Sequence, residues 1–198
     1  MSDNDENEDK TLEIINISEL NNGLPTITPA YGQGLAEAAV FCLNKNSHQS
    51  SKCILNCIKT LKNEGEFESY QLLWDELDPR VESTYGDLDE AIEYGAMGIA
   101  ILLSTKLTKY SFLERSAKGI GIDYWIGEKD GDMFQKKARL EISGIFKGND
   151  AQLKARLNQK IRQSAASDGL GYDCFVSIIE FSMPKATFIS KENNYERN

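Results

Sequence analysis

"KGIGIDYWIGEKDGDMFQKKARLEISGIF", residues 118–146, predicts two β-strands joined by a turn, and each apolar run contains one carboxylate. Asp123 lies in the first run and Glu141 in the second. Because side chains alternate across a strand, acids on adjacent antiparallel strands can project from the same face and lie close together. Such a pair repels unless a cation binds it, and Mg²⁺ or Mn²⁺ prefers carboxylate and water oxygens. The stretch therefore predicts a metal site formed by Asp123 and Glu141.

The patterns on either side predict an α/β fold with a mixed sheet. From residue 87 the predicted order is helix, strand, strand, strand, helix, strand, with the final strand bent or ended at Pro184. A helix from Pro29 and a β-hairpin precede this core. We expect an acidic disordered tail and one α/β domain. Their bounds are 1–10 for the tail, 11–198 for the domain, 29–78 for its helix and hairpin and 87–191 for its core.

This order of elements, with "GID" at 121–123 and "EIS" at 141–143, resembles the core of the PD-(D/E)XK nuclease superfamily, whose fold is called restriction-endonuclease-like. In that family the second core strand carries an Asp, the third carries Glu-x-Lys, and the first helix frequently adds a Glu. The resemblance implies Mg²⁺-dependent hydrolysis of a phosphodiester. It implies that Asp123 and Glu141 are catalytic metal ligands and that Glu90 or Glu93 is the helix acid.

The chain departs from the family pattern at Ser143, two residues after Glu141, where the family usually has Lys. A serine can hydrogen-bond a water but brings no positive charge. Lys118 is a candidate catalytic replacement, because Gly119 and Gly121 can turn the backbone so that its ammonium reaches the site. In a regular strand, residues five apart lie on opposite faces, so this replacement depends on the glycines.

The segment 136–162 contains eight basic residues and two acidic ones, in a chain of net charge −9. This asymmetry predicts a phosphate-facing edge, and the alternative is an ordinary solvated helix face. The residues expected to contact nucleic acid are Lys136, Lys137, Arg139, Lys154, Lys160 and Gln163. An alternative also stays open for the two acids, which can pair with Lys or Arg at a strand edge in a purely structural role.

Two further side chains have alternative roles. Trp125 is expected to share a strand face with Asp123, where it either stacks on a base or packs in the core. Glu180 either joins the site or pairs with Lys185 at a sheet edge. Neither residue is assigned by the sequence.

The cysteines predict free, mostly buried thiols, because they lack paired C-x-x-C spacing and a cytoplasmic chain is kept reduced. The alternative is a Cys₃His zinc site that includes the single histidine. Its ligands would be Cys42, His48, Cys53 and Cys57.

The acidic composition, with a pI near 4.8, argues against a protein that coats DNA or anionic membranes by bulk electrostatics. The chain has no apolar run of the ~20 residues that a membrane-spanning helix needs, and "MSDNDENEDK" lacks the features of a signal peptide. We expect a cytoplasmic protein that contacts nucleic acid locally, makes no membrane contact, and has a protein partner or a second copy of itself.

Two functions are compatible with these patterns. The first is a small metal-dependent nuclease of a bacterial system, a phage-defence or mobile-element component by fold-level analogy. The second is a catalytically inactive subunit with the nuclease fold that binds a partner protein or nucleic acid within a complex. The missing Glu-x-Lys motif favours the second, and the paired acids favour the first.

Overall fold

The computed structural model describes residues 11–61, 64–117, 122–131 and 133–191. The predicted acidic tail at 1–10 and the candidate Lys118 lie outside those ranges. The strands are β1 Glu13–Asn16, β2 Cys53–Leu61, β3 Glu64–Leu73, β4 Phe112–Arg115, β5 Tyr124–Asp130, β6 Met133–Ile145, β7 Asp173–Glu180 and β8 Lys185–Lys191. The helices are α1 Pro29–Lys45, α2 Val81–Thr84, α3 Leu88–Leu107 and α4 Asp150–Ser164, with 3₁₀ turns at Ile17–Asn22 and Ala165–Leu170.

All eight strands form one mixed sheet in the order β1-β3-β2-β8-β7-β6-β5-β4. β4 pairs antiparallel with β5, and β5 pairs antiparallel with β6. β6 and β7 are parallel neighbours connected through α4, and β7 pairs antiparallel with β8. The N-terminal hairpin continues the same sheet, because β2 pairs in parallel with β8. The protein therefore has a mixed α/β fold, as the sequence predicts.

Helices cover both faces of the sheet. On one face α1 and α3 pack over Leu140 and Phe175, in the larger apolar cluster. On the other face Leu153 of α4 packs against Cys174 and Val176 in a smaller cluster. Because side chains alternate along β6, the residues that flank Leu140 on that strand face α4.

The helices begin where the sequence provides caps. The Asp87 side chain accepts a hydrogen bond from the Asp89 N–H at the start of α3. At the start of α4, Asn149 and Gln152 form a reciprocal capping box. Gly95 lets α3 approach α1 closely, since a Cβ there would lie 3.0 Å from the Ala39 Cα.

The predicted helix from Pro29 and the hairpin after it are confirmed as α1 and the β2–β3 pair. The order predicted from residue 87 is also observed, with α3, β4, β5, β6, α4 and β7 in sequence. The prediction of one final strand is wrong, because β8 follows β7 as a separate antiparallel strand. The chain reverses between them where the Glu180 carboxylate accepts the N–H groups of Ser182 and Met183.

No membrane-spanning candidate occurs among the helices of the described ranges: none combines sufficient length with sufficient apolar character.

Candidate functional site

The two predicted acids lie opposite each other on neighbouring strands. Asp123 directly precedes β5; its N–H donates to the Leu140 carbonyl over 3.1 Å, and its carbonyl accepts from the Ser116 N–H over 2.9 Å. Tyr124 pairs with Leu140, so the antiparallel register places Asp123 across from Glu141. Both side chains therefore lie on the face of the sheet that carries α4.

The Asp123 carboxylate is half-buried and oriented by the backbone of β6. Its Oδ2 accepts a hydrogen bond of 2.7 Å from the Ile142 N–H. Burial raises the pKa of the Asp123 carboxyl above its ordinary value, and the charge of Glu93 raises it further, against the opposing effects of the Ile142 N–H, Lys160 and Arg115. A carboxyl whose ionised form is disfavoured in this way would gain from a bound cation.

Glu141 is almost fully buried, with 5% of its surface exposed. Its Oε1 accepts a hydrogen bond of 2.6 Å from the ammonium of Lys160 on α4. Burial raises the pKa of Glu141 to about 7, and the charge of Asp123 adds to the rise, although Lys160 opposes it. The Glu141 carboxyl is therefore coupled to both Asp123 and Lys160.

A cleft of about 630 Å³ opens beside Asp123, between the N-terminal half of α3 and the C-terminal half of α4. Acidic side chains line its α3 side, and basic and amide side chains line its α4 side. The polar lining residues are Asp89, Glu93, Asp123, Ser143, Arg156, Gln159, Lys160 and Gln163. Groups of both charges thus face one cavity, with Asp123 at the strand edge between them.

α3 packs closely on β6, and this packing brings the acidic side chains of α3 to the cleft. A Cβ on Gly144 would lie 2.4 Å from Ile92 Cγ2 and 2.6 Å from the Ile92 carbonyl oxygen, so a side chain larger than hydrogen does not fit there. Of the two acids proposed on α3, Glu93 lines the cleft, whereas Glu90 is exposed and does not line it.

Positive charge reaches the site from α4. Arg156 donates to the Ser143 hydroxyl over 3.2 Å, at the position where the sequence lacks a lysine. Lys160, predicted as a nucleic-acid contact, instead pairs with Glu141 at the site itself. Sequence reasoning missed this role, although the spacing of Arg156 and Lys160 places both on one helix face.

The remaining residues of the predicted phosphate-facing edge lie in different environments. Lys136 pairs with Glu114 over 2.9 Å and lies 4.8 Å from the centroid of the Trp125 ring. Lys137 is exposed, and Lys154 borders a groove between α4, β2 and β8 rather than the cleft. Gln163 lines the cleft. The predicted edge is therefore not one continuous surface.

Arg139 corrects the sequence interpretation, because its side chain is fully buried and cannot contact a ligand at the surface. The guanidinium donates to the carbonyls of Ser164 and Tyr172, to the Ser167 hydroxyl and to the Asp168 carboxylate. This arginine joins β6 to the turns after α4, which is a structural role.

Trp125 is buried on the face that carries α4, with its ring edge-on to Tyr172 at 5.2 Å, which favours the packing alternative. Glu180 is buried, and its carboxylate accepts from the N–H groups of Gly148, Ser182 and Met183 and from the Ser182 hydroxyl. These donors occupy both carboxylate oxygens of Glu180, so its role is to stabilise the turn by hydrogen bonding.

The four cysteines are free and buried, as predicted. The His48 Nε2 lies 3.0 Å from the Phe181 carbonyl and 3.1 Å from the Ser182 carbonyl. Within the described residues no group of three or more His, Cys, Asp or Glu side chains is arranged to hold a metal ion. The Cys₃His alternative therefore finds no support, and a cation at Asp123 would depend largely on water or substrate oxygens.

Comparison with models of protein families gave no match to this chain, and comparison with curated protein sequences gave none either.

Proposed function

We propose that this protein is a metal-dependent phosphodiesterase acting on nucleic acid, with the cleft beside Asp123 as its active site. The observation that carries the proposal is the convergence of acidic side chains from α3, basic side chains from α4 and the oriented Asp123 carboxylate on one cavity. A phosphodiester bound beside a divalent cation needs both kinds of group, because the acids hold the cation and the basic groups contact phosphate oxygens.

The residues at the cleft fit Mg²⁺ or Mn²⁺ in a site with few protein ligands. Mg²⁺ usually keeps several waters and is bound by one or two carboxylates plus substrate phosphates. Asp123 would be the principal ligand, because the Ile142 N–H bonds its Oδ2 and leaves Oδ1 to face the cleft. Glu93 faces the same cleft, whereas Glu141 does not line it and would have to leave its contact with Lys160 to join as a ligand once ionised. A bound ion would supply a more acidic water and neutralise charge that develops on the phosphoryl oxygens.

The restriction-endonuclease-like arrangement is part of this proposal. The order of α3, β4, β5, β6, α4 and β7 supports it, and so does the register of β5 and β6, which carries Asp123 across from Glu141. A role in bacterial phage defence or in mobile elements follows only by analogy with that fold.

A second function is favoured by the ion pair of Lys160 with Glu141. A carboxylate that is buried and paired over 2.6 Å is less available to a cation than an exposed one. In this alternative the nuclease architecture is retained without catalysis, and the chain is a subunit that binds a partner protein or nucleic acid within a complex.

Calorimetric titration with Mn²⁺ tests the proposal on the wild type and on Asp123→Asn, with Asp173→Asn as a control. Asp173 is exposed at the start of β7, so the control removes one carboxylate away from the cleft. We expect the wild type and the control to bind Mn²⁺ and Asp123→Asn to lose binding, with circular dichroism showing that all three are folded.

Cleavage assays on labelled DNA and RNA in Mg²⁺ or Mn²⁺ then separate the two functions. Cleavage by the wild type that Asp123→Asn abolishes supports the nuclease. Metal binding without cleavage of any substrate supports the non-catalytic subunit. A folded wild type that binds no Mn²⁺ would overturn the metal site and with it the enzymatic proposal.

A further inference from the structure

Arg115 is an exposed cation at the end of β4, next to the candidate site. The residue after it, Ser116, donates its N–H to the Asp123 carbonyl over 2.9 Å, which fixes this strand end against Asp123. The guanidinium donates to the Tyr31 hydroxyl and lies 5.8 Å from the Tyr31 ring centroid. In the part of the chain that the structure describes, no carboxylate lies within salt-bridge distance of it. Arg115 therefore has donors available for an anionic ligand.

Two half-buried tyrosines, Tyr31 and Tyr94, form an aromatic patch beside Arg115. Their ring centroids are 6.5 Å apart in an edge-to-face arrangement. The patch adjoins the cleft through Met97, because the Tyr31 hydroxyl lies 3.9 Å from the sulfur of Met97 and Met97 lines the cleft. The patch therefore continues the α3 side of the cleft with aromatic surface.

Arg156 provides a second cation on the opposite side of Asp123. It is exposed on α4, and its contact with the Ser143 hydroxyl turns it toward the cleft. Among the described residues it too has no carboxylate within salt-bridge distance. Arg156 lines the cleft, whereas Arg115 lies outside its lining beside Tyr31, near enough for its charge to act on Asp123. One guanidinium group thus approaches the Asp123 region from β4 and another from α4, and guanidinium is well matched to phosphate.

The size and charge of the cleft favour a single strand over a duplex. A volume of about 630 Å³ lies within the range of roughly 300–1,000 Å³ typical of pockets that hold one small ligand, which suits one nucleotide unit at a time. A duplex carries one charge per about 1.7 Å of its axis, and the acidic wall of Asp89 and Glu93 would repel its second strand. Proteins that bind single strands combine a few cations with aromatic side chains on which bases stack.

We infer that the cleft binds single-stranded nucleic acid, with Arg115 and Arg156 contacting the phosphates on either side of Asp123 and the aromatic patch stacking on a base. This assignment rests on the proposed function, because that function makes a phosphodiester the group that Asp123 faces. It adds the substrate class and the residues that recognise it.

Fluorescence anisotropy tests the inference with short fluorescein-labelled probes, namely oligothymidine, oligouridine and a blunt DNA duplex, in Ca²⁺ without Mg²⁺. The variants are Arg115→Gln, Arg156→Gln and Tyr94→Leu. The matched control is Arg80→Gln, which removes an exposed arginine that pairs with Asp78 over 2.5 Å and does not line the cleft.

We expect the wild type and Arg80→Gln to bind at least one single-stranded probe about 10-fold more tightly than the duplex. Each of Arg115→Gln and Arg156→Gln should weaken single-strand binding about 10-fold. Each should also reduce the slope of log affinity against log salt concentration by about 0.7. Tyr94→Leu, which keeps an apolar side chain in place, should weaken binding at least about 5-fold through lost stacking. The preferred single-stranded probe then distinguishes DNA from RNA.

Duplex binding as tight as single-strand binding would overturn the inference, as would Arg115 and Arg156 variants that bind like Arg80→Gln. Mn²⁺ calorimetry on the same proteins separates this failure from failure of the proposed function. If the protein binds metal through Asp123 but shows no preference for single strands, the proposed enzymatic function stands and this inference is wrong. If the protein prefers single strands through the two arginines but binds no metal, this inference stands and the proposed enzymatic function is wrong.

Discussion

Replacing Lys160 by Met should make the stability of the protein depend on pH in a defined way. Lys160 contacts the buried Glu141 carboxylate over 2.6 Å, and both side chains are largely shielded from water, with 19% and 6% of their surfaces exposed. Methionine keeps most of the volume of the lysine stem and removes its charge. The substitution therefore leaves Glu141 beside Asp123 with no counter-charge from α4.

The size of the effect follows from the pKa of Glu141. Burial and the charge of Asp123 raise this pKa from 4.5 to about 7 although Lys160 is present. Removing the charge of Lys160 therefore raises the pKa of Glu141 further. A carboxyl whose pKa is higher in the folded state destabilises the fold as pH rises through the interval between the two values, because the unfolded chain releases its proton first. Each additional unit costs about 1.4 kcal/mol at a pH above the new pKa.

At about pH 5 Glu141 is protonated in the folded wild type and in the variant, so the electrostatic difference between them is close to zero. At about pH 8 the wild type is ionised and paired, whereas the variant retains the proton. We therefore expect Lys160→Met to lose about 1 kcal/mol more stability at the higher pH than at the lower one.

Urea denaturation of the two proteins at both pH values measures this difference. Lys154→Met is the matched control, because Lys154 is exposed on the same helix and borders a different groove. The control should change stability by the same small amount at both pH values. A loss for Lys160→Met that is equal at the two pH values would refute the coupling between Lys160 and an ionised Glu141.

Three further changes have defined outcomes. Arg139→Met should lower the free energy of unfolding by about 3 kcal/mol in urea denaturation, because it leaves the Ser164 and Tyr172 carbonyls without their donor and Asp168 with only Lys191 as a cation among the described residues. Gly144→Ala should cost about 2 kcal/mol, since its Cβ would lie 2.4 Å from Ile92, whereas Gly169→Ala, with nothing within 4 Å, should be close to neutral. Mn²⁺ affinity should rise up to about tenfold per pH unit below about pH 7, measured by calorimetry, and a flat profile would exclude Glu141 from the metal site.

The relation between Asp123 and Glu141 was predictable because it depends on local rules. Side-chain alternation and a short connection between two strands fix which residues share a face. The observed pairing of Tyr124 with Leu140 places the two acids opposite each other. The cap at Asp87 and the apolar spacing of α4 are likewise local signals, and both helices begin where those signals occur.

The environments of Arg139 and Lys160 were not predictable from the sequence, because they depend on contacts between elements distant along the chain. Arg139 belongs to a run of basic residues that is typical of a solvated surface, yet its partners lie 25 to 33 residues later. Lys160 lies on the polar side of an amphipathic helix, and its contact with Glu141 requires the position of α4 on β6. Tertiary packing decides both outcomes.

The geometry of α4 on β6 bears directly on the missing lysine at position 143. Four residues of an α-helix rise about 6 Å, and two residues of a strand rise about 6.6 Å. A helix that runs antiparallel to a strand can therefore present residues i and i+4 opposite strand residues i+2 and i. Arg156 contacts Ser143 and Lys160 contacts Glu141, which is this arrangement. Because α4 supplies a cation at each of these two strand positions, a serine at position 143 does not deprive the site of positive charge.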